Sequence, residues 1–533
     1  MARAVAGDDL VVDAKRDRLV IFASALGTVF EWYDFFIYGT LAAVIGRLFF
    51  PAASETAGFL LALATFGAGF GVRPLGAVLF GYLGDKLGRK YTFLVTITLM
   101  GLATAAVGLL PTYAQIGIMA PILLVTCRLL QGLALGGEYG GAAIYVAEHA
   151  PRHKRGFYTS FIQASVIGGF LLSVSVVLAS NAFVDPVAWE AWGWRVPFLF
   201  SLVLLAVSLW VRMKLSESPV FQAMKDSGAI ARNPLKESFD SWPKIKMVLV
   251  ALFGVAAGMT VIWYTAQFQA LYFLQNSLRI EDNAARLMIA VAALFSVFWF
   301  IFFGWASDKI GRKKPMVTGY ALTLLLVFPL FHWMASAANP ALSSAMERSP
   351  VVVAGSDCRY DPFATNGQET ACGRVLDTLS KKGIAYSTAE APSGAPPSVT
   401  IGGIAVDVAN PTELDKALAS AGYKLAKKKP SLGEAAQVVL AILLIGMLSG
   451  MTFGPLAALM VELFPARVRY TSMSVPYHIG TGYFGGFLPF ISQYIVARTG
   501  DPFSGLWYTV GVVAMALIVC LLWLPETAGK ELD

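Results

Sequence analysis

The chain has 533 residues, of which 56% are hydrophobic and 14% charged, and its mean hydropathy is +0.63. This composition excludes an ordinary soluble domain, in which about 25% of residues are charged, and indicates a chain whose main solvent is lipid. The formal net charge of +7 does not indicate nucleic-acid binding, because Lys and Arg lie in short loops between apolar segments rather than in one patch.

Apolar runs that reach the roughly 20 residues needed to cross a bilayer as a helix recur along the chain. They predict twelve membrane-spanning helices, at residues 19–46, 58–81, 91–110, 117–146, 157–180, 196–212, 247–275, 284–305, 316–337, 434–461, 471–496 and 505–524. The predicted fold class is therefore an all-α membrane protein.

The spanning helices group into two pseudosymmetric six-helix bundles, residues 19–212 and residues 247–337 with 434–524. A cytoplasmic linker, 213–246, joins the bundles, and tails of 1–18 and 525–533 flank them. Residues 338–433 break the hydrophobic pattern and are rich in Pro, Gly, Ser, Lys and Asp, which predicts a small soluble α+β insertion between the ninth and tenth helices.

Basic residues divide unequally between the two sides of this layout. Loops on the side of the N-terminus contain most of them, among them Lys154, Arg155, Lys236 and Lys314, whereas the short loops of the other side contain few. The positive-inside rule therefore predicts an inner-membrane protein with both termini in the cytoplasm and residues 338–433 in the periplasm.

An internal repeat supports two related halves. The segment with Gly81, Asp85, Lys86, Gly88 and Arg89 recurs as the segment with Gly304, Asp308, Lys309, Gly311 and Arg312. The carboxylates of these loops can accept hydrogen bonds at a helix start and pair with basic side chains of the other bundle. We predict that the loops form a conformational gate.

The insertion contains two of the four cysteines. Cys358 and Cys372 lie on the oxidising side of the predicted topology, so we predict a disulfide between them, with two free thiols in a mobile loop as the alternative. Within the insertion, residues 369–382 and 411–422 have helical patterns, and residues 384–387 and 398–408 have strand patterns.

The repeated loop resembles the cytoplasmic signature of the major facilitator superfamily. Further residues resemble the metabolite:proton symporter family within that superfamily, whereas the insertion at 338–433 departs from the pattern of the family. They are Phe30, Glu31, Trp32, Tyr33 and Asp34, then Arg73 and Pro74, then Arg128, Gln131 and Gly132, then Gly136, Gly137 and Glu138. The resemblance implies alternating access and the transport, with protons, of carboxylates such as shikimate, 2-oxoglutarate and citrate or of zwitterions such as proline and betaine.

Charges inside a hydrocarbon slab are costly unless they are paired or hydrated, so the intramembrane cations are candidate site residues. Arg73 lies near mid-membrane and can bind a carboxylate through two parallel hydrogen bonds, or can serve a structural role by donating to helix carbonyls. Arg128, Gln131 and Glu138 share one helix face. In relatives this arginine is linked to proton coupling, and a purely structural Arg128 to Glu138 network is the alternative.

Two carboxylates on the first helix are the candidate proton carriers. Glu31 and Asp34 share a face with Tyr38, and a buried carboxyl beside a second one suits proton uptake and release. We predict Asp34 as the principal proton site with Glu31 as its partner. The alternative is that the pair only neutralises Arg73 or Arg128.

Polar residues of later helices complete the candidate set. His478 can relay protons, although a lone histidine is more often structural. Trp263, Tyr264 and Gln267, with Gln269, offer rings and amides that can orient a polar ligand, although packing against neighbours is the more ordinary role for the two rings.

The pattern as a whole predicts a secondary active transporter that carries a small mono-, di- or tricarboxylate with protons. The expected partners are the organic anion, the proton and the lipid bilayer, with no nucleic acid, no metal and no cofactor other than the coupling proton, and we expect a monomer. The insertion contains no nucleophile elbow, phosphate loop or metal-spaced cluster, so an enzyme is not expected. The alternatives are a proton-coupled zwitterion carrier and a non-transporting sensor that uses the insertion.

Overall fold

The computed structural model describes residues 14–51, 55–87, 89–137, 143–144, 146–147, 150–213, 234–364, 367–392, 394–407, 410–465 and 468–532. Within these ranges the side chains of residues 14–25, 81–93, 211–212, 234–235 and 411 lie outside the described part. Glu138 and Gly88 are outside it altogether, as are the side chains of Gly81, Asp85, Lys86 and Arg89.

In its described part, the first half of the chain consists of helices and short connections between them. Its main helices are α1 (Ala14–Thr40), α2 (Ala42–Phe49), α3 (Glu55–Gly71), α4 (Arg73–Leu87), α5 (Arg89–Leu109), α6 (Met119–Leu135), α7 (Arg155–Phe183) and α8 (Arg195–Met213). Short helical turns occur at Tyr113–Ile116, Arg152–Lys154, Pro186–Ala188, Trp189–Gly193 and Pro234–Ser238.

Two of the predicted spanning helices are interrupted. The predicted helix 19–46 breaks at Leu41, between α1 and α2, and the predicted helix 58–81 breaks at Val72, between α3 and α4. The second break has a local cause, because Pro74 lacks an N–H group and its ring clashes with the carbonyl four residues earlier. The break leaves Arg73 at the first position of α4.

The second half contains α9 (Trp242–Ser277), α10 (Asp282–Ile310), α11 (Lys313–Ala338), α15 (Leu432–Leu463), α16 (Arg469–Ile479), α17 (Leu488–Thr499) and α18 (Leu506–Trp523), and the three helices numbered between α11 and α15, which are α12 (Pro340–Arg348), α13 (Ala371–Lys381) and α14 (Pro411–Ser420), lie in the insertion. Helix α9 includes π-helical turns at Val250–Ala256, Thr265–Gln269 and Phe273–Ser277, and a further one, Gly480–Gly486, separates α16 from α17. Such turns widen a helix locally and are frequent at functional sites.

Seven helices in the described part are long and apolar enough to cross a membrane, or eight if Pro186–Gly193 and Arg195–Trp210, bent by 57°, form one span. Two shorter apolar helices, Leu94–Leu109 and Met119–Leu135, occupy further predicted positions. The outer faces of the helices expose large apolar side chains, as lipid contact requires. Examples are Leu109, Phe183, Leu294, Phe298, Leu325, Trp507 and Leu522.

The halves meet closely where α7 runs along α10. A Cβ atom on Gly304 would lie 2.5 Å from the Cβ of Ser160 and 2.8 Å from the carbonyl oxygen of Gly156, so only glycine permits this approach. The second copy of the repeated loop therefore lies directly against the first turn of α7.

Residues 340–423 form a separate small module with its own core. Its elements are α12 (Pro340–Arg348), β1 (Val351–Gly355), α13 (Ala371–Lys381), β2 (Ser387–Glu390), β3 (Ser398–Ile401), β4 (Ile404–Val406) and α14 (Pro411–Ser420). The sheet order is β2-β1-β3-β4, with β1 parallel to β2 and antiparallel to β3. Val353, Leu376, Leu379 and Leu414 are buried in its core.

The strands differ in detail from the sequence patterns. The predicted strand 384–387 begins only at Ser387, and the predicted strand 398–408 is a hairpin whose turn is Gly402 and Gly403. Both glycines have positive φ, 58° and 83°, which a two-residue hairpin turn requires. The central strand β1 is an element that the sequence analysis did not assign.

A disulfide joins Cys358 to Cys372, whose Cα atoms are 4.9 Å apart. The module is attached to one end of the helical bundle by backbone hydrogen bonds. The Lys428 N–H donates to the Arg279 carbonyl at 2.7 Å, the Glu281 N–H donates to the Lys428 carbonyl at 2.9 Å, and the Tyr386 N–H donates to the Gly500 carbonyl at 3.1 Å. We call this end of the bundle the insertion side.

Candidate functional site

An aromatic cluster fills the centre of the bundle between the two halves. It consists of Phe35, Phe36, Phe66, Phe70, Phe170, Trp263, Tyr264 and Phe268, and we call it the central cluster. Phe36 stacks on Trp263 at 5.0 Å between ring centroids, and Phe66 lies 5.5 Å from Phe268. Rings of α1, α3 and α7 therefore face rings of α9 across the boundary between the halves.

Arg128 of α6 is fully buried against this cluster. Its guanidinium carbon lies 4.1 Å from the centroid of the Phe35 ring and 4.5 Å from that of Tyr38. Its Nη1 donates to Gln131 at 2.7 Å, and Gln131 in turn donates to Thr104 at 2.6 Å. Among the described residues its Nε and Nη2 have no hydrogen-bond partner. A buried guanidinium with unsatisfied donors is costly, so these groups are suited to a ligand.

Arg73 connects the halves on another side of the cluster. Its guanidinium carbon lies 5.3 Å from the Phe70 ring and 5.4 Å from the Trp32 ring, and its Nη1 donates to the Thr481 hydroxyl at 3.3 Å. Thr481 belongs to the π-helical turn after α16, in the opposite half. His478, which is fully buried, lies within electrostatic reach of Arg73.

Tyr264 lies within electrostatic reach of both Arg73 and Arg128. Within the described part, its hydroxyl and the indole Nε1 of Trp263 have no hydrogen-bond partner, and the same holds for the Gln267 carbonyl oxygen. The unsatisfied groups around the central cluster are therefore mainly donors, which favours a ligand rich in acceptors.

Of the two candidate proton carriers, Asp34 points away from the central cluster. Both Glu31 and Asp34 are buried, and the Asp34 carboxylate faces Ser201 of α8 rather than Arg128. The Arg128 guanidinium instead faces Phe35 and Tyr38 of the same helix. The structure thus brings Tyr38, Gln131 and the two arginines to the cluster and leaves Asp34 beside it, between α1 and α8.

The side-chain oxygen of Gln269, unlike that of Gln267, is hydrogen-bonded within the described part. This oxygen accepts from Ser492 at 2.6 Å and from Gln493 at 2.9 Å, both in the same half of the chain. This amide joins α9 to α17 and is one reason that these helices form a single body.

At the end of the bundle opposite the insertion, a buried charge network joins the halves. Asp308 accepts hydrogen bonds from the Gly156 and Phe157 N–H groups, each at 2.8 Å, and from Arg312 at 2.7 Å. Glu462 lies 3.0 Å from Arg155 and 3.1 Å from Arg312.

We call Arg155, Asp308, Arg312 and Glu462 the latch. All four side chains are at most 6% exposed, and the two cations balance the two anions. Arg155 belongs to the first half and the other three to the second, so the latch joins the two halves at this end of the molecule.

The chain after α18 supports the latch. Glu526 accepts from the backbone N–H groups of Arg312 at 2.8 Å and Ala528 at 2.9 Å. Burial alone opposes the charged carboxylate, but the N–H donors of Ala528, Arg312, Lys313 and Thr527 together hold the pKa of Glu526 below its usual range. Gly311, with φ of 97°, leaves the room that this carboxylate occupies.

Several of these residues were not candidates from the sequence. Thr481 and Thr104 carry no signal of their own, and Arg155 was visible only as one of many loop cations. Glu462 had a usable signal, because a carboxylate at the end of an apolar run is costly to retain. Its partners lie 150 and 307 positions away, which no local pattern encodes.

Known proteins provide an independent comparison. The family model described as "Sugar (and other) transporter" matches residues 19–253 and 417–533. The shikimate transporter of Escherichia coli is 40% identical over 327 residues, which is 61% of this chain and 74% of that protein. The inner membrane metabolite transport protein YhjE of E. coli is 30% identical over 518 residues, covering 96% of this chain and 95% of that protein.

A further relative is the proline/betaine transporter of Salmonella typhimurium, 35% identical over 334 residues, which cover 61% of this chain but only 66% of that protein. Among solved structures, a crystal structure of the D-xylose-proton symporter superimposes with a TM-score of 0.61 at 16% identity, covering 97% of this chain and 100% of that one. This likeness shows the fold.

The family model and the relatives identify a membrane transporter rather than an enzyme. The chain belongs to the major facilitator superfamily, within its metabolite:proton symporter family.

Proposed function

We propose that this protein is a proton-coupled symporter that carries a small organic anion across the inner membrane by alternating access. The observation that carries the proposal is the pair of buried guanidinium groups at the central cluster, with unsatisfied donors on Arg128, Trp263 and Tyr264 in the described part. A carboxylate supplies the acceptors and the negative charge that these groups need. The shikimate transporter among its relatives supports a carboxylate.

In this proposal twelve helices span the membrane and both termini are cytoplasmic. The latch and the basic loops beside it, including Arg152, Lys154 and Lys313, then face the cytoplasm, in accordance with the positive-inside rule. The insertion faces the periplasm. The closed latch corresponds to a state in which the cytoplasmic side is sealed, and its opening accompanies the inward swing.

Proton coupling follows from the charge that must move. Moving one negative charge into a cell whose interior is negative costs about 2.3 kcal/mol per 100 mV of membrane potential. A proton that crosses with the anion cancels this cost. We propose Asp34, with Glu31 one turn away, as the principal proton site, because its burial beside α8 allows protonation to alter how α1 packs. His478, next to Arg73, is the second candidate. No cofactor besides the proton is required, and a monomer contains the whole pathway.

Uptake into proteoliposomes under an imposed pH gradient tests the proposal, with labelled shikimate, 2-oxoglutarate, citrate, betaine and proline. We expect carboxylate uptake that a protonophore abolishes. Arg128→Gln and Asp34→Asn should abolish accumulation, whereas the matched control Arg498→Gln, at an exposed position, should not. Uptake that is independent of the gradient contradicts coupling, and absence of uptake with every compound favours a sensor.

A zwitterion is the second candidate substrate, because the central cluster also offers an aromatic surface. Quaternary ammonium groups bind against aromatic faces such as those of Trp263 and Tyr264, while Arg128 can hold the carboxylate of the same molecule. Proline/betaine transporters among the relatives support this option. Competition between labelled shikimate and unlabelled betaine separates the two.

A further inference from the structure

A cavity of about 390 Å³ lies between the insertion and the helical bundle. Three parts of the chain line it. Arg47 and Glu55 come from the first half, Gln275 and Arg279 from the second, and Lys381 from the insertion. The cavity therefore exists only because the insertion covers the end of the bundle.

The lining contains more cations than carboxylates, but most of its cations are paired. Its charged members are Arg47, Arg279, Lys381 and Lys427 against Glu55 and Asp282. Lys427 lies 2.6 Å from Asp282 and Lys381 lies 2.6 Å from Asp377, while Arg47 lies 3.9 Å from Glu55 and 3.6 Å from Glu190. The cation that remains for an anion is Arg279, and a partly enclosed space strengthens its attraction because low-dielectric walls focus the field.

The insertion holds Arg279 in a defined orientation. Its Nη2 donates to the Lys382 carbonyl at 2.6 Å, and within the described part its Nε has no hydrogen-bond partner. Gly383 is next to this carbonyl, and a Cβ atom there would collide with the Arg279 guanidinium. Arg279 also adopts a positive φ of 56°, a conformation that costs energy for a non-glycine residue and persists where the surrounding structure enforces it.

The cavity lies on the way to the central cluster. Phe59, in its lining, contacts the ring of Tyr272 at 5.2 Å between centroids. The Tyr272 hydroxyl donates to the Gly39 carbonyl oxygen, across the boundary between the halves, at 2.8 Å. Phe268, which precedes Tyr272 by about one turn of α9, belongs to the central cluster. The Tyr272 contact thus separates the cavity from the candidate substrate site.

We propose that this cavity is a second anion-binding site, a vestibule in which Arg279 holds the carboxylate of the substrate, with Lys381 in the same lining, before the substrate passes Tyr272. The inference rests on the proposed function in one respect, namely that the transported molecule is an organic anion. The insertion then serves transport directly, by raising the local concentration of substrate at the outer end of the pathway.

Lysine footprinting on the reconstituted full-length protein tests the vestibule without any transport step. The protein is treated with an amine-reactive reagent in sodium citrate, in sodium shikimate, or in sodium chloride of the same ionic strength, and labelling of each lysine is quantified by mass spectrometry. We expect a carboxylate to slow labelling of Lys381 severalfold but not that of Lys416, an exposed lysine of the same module outside the cavity. Arg279→Gln should remove the protection. Equal labelling in all three salts overturns the proposal.

Uptake kinetics supply the second readout. Arg279→Gln should raise the KM for the carboxylate by roughly threefold to fivefold, the scale of a partly exposed ion pair, and leave kcat unchanged. Lys416→Gln should change neither constant. If Lys381 is protected but no carboxylate is taken up, the vestibule is supported and the proposed function is refuted. If carboxylate is taken up but Lys381 is not protected, the proposed function is supported and the vestibule is refuted.

Discussion

Replacing Asp308 by asparagine tests whether the latch controls the conformational equilibrium. The carboxylate accepts from the Gly156 and Phe157 N–H groups with its two oxygens and also pairs with Arg312. Asparagine has one acceptor oxygen, so its NH₂ group must face one of the two N–H donors. The substitution therefore removes an ion pair and places two donors against each other.

The magnitude follows from burial. The side chains of Asp308 and Arg312 are 4% and 1% exposed, and removing one partner of a buried pair costs about 3–5 kcal/mol. In the open arrangement water can solvate the freed groups, so the cost falls on the closed state. The ratio of closed to open molecules should drop by roughly two to three and a half orders of magnitude, since about 1.4 kcal/mol is a factor of ten.

Distance measurements between two spin labels can detect this shift. The labels are attached at Lys154→Cys and Lys309→Cys, which are exposed positions near the latch, one in each half. We expect Asp308→Asn to lengthen the main distance and to lower turnover more than substrate affinity. The matched control is Asp240→Asn, which removes an exposed carboxylate that pairs with Lys244 at 2.8 Å on the same side. If Asp308→Asn leaves the distance distribution unchanged, the latch does not hold the closed state.

Three further predictions concern other contacts. Tyr272→Phe removes the hydrogen bond to Gly39, worth about 1 kcal/mol, and should raise the accessibility of the central cluster to reagents from the insertion side about fivefold. Cys358→Ser breaks the disulfide to Cys372, 14 positions away, and should destabilise the insertion by about 3 kcal/mol, measured by limited proteolysis. Glu526→Gln should lower the Tm of the solubilised protein at pH 7, and the difference from wild type should begin to shrink as the pH falls below about 4.3, the ordinary pKa of a glutamate. A carboxyl whose pKa is depressed in the folded state contributes its full stability above the unfolded-state pKa and loses it as the pH falls through the lower folded-state pKa.

Each of these has an outcome that contradicts it. Unchanged accessibility in Tyr272→Phe would mean that ring packing alone closes the pathway. If Cys358→Ser resists proteolysis as well as the wild type does, the hydrophobic core of the module is enough to keep it folded without the disulfide. A Tm difference for Glu526→Gln that persists at low pH would attribute the effect to packing rather than to charge.

The sequence by itself determined the class of protein and most of its helices. Apolar runs of spanning length and a period typical of helices follow from the lipid solvent, and so they are readable residue by residue. The repeat at Gly81 and Gly304 predicted two halves, and the distribution of cysteines predicted the pairing of Cys358 with Cys372. Burial of Arg73 and Arg128 was also predictable, since both lie within apolar runs.

Only the tertiary structure decided which groups meet. Arg155 and Glu462 are 307 positions apart, and Arg73 and Thr481 are 408 apart, so their contacts depend on how the two halves pack. Rotation of α1 about its axis turned Asp34 towards α8 and Phe35 towards Arg128, a difference of one residue that periodicity cannot resolve. The vestibule depends on the position of the insertion over the bundle, and that position rests on backbone hydrogen bonds and on contacts such as that of Arg279 with the Lys382 carbonyl, 103 positions away.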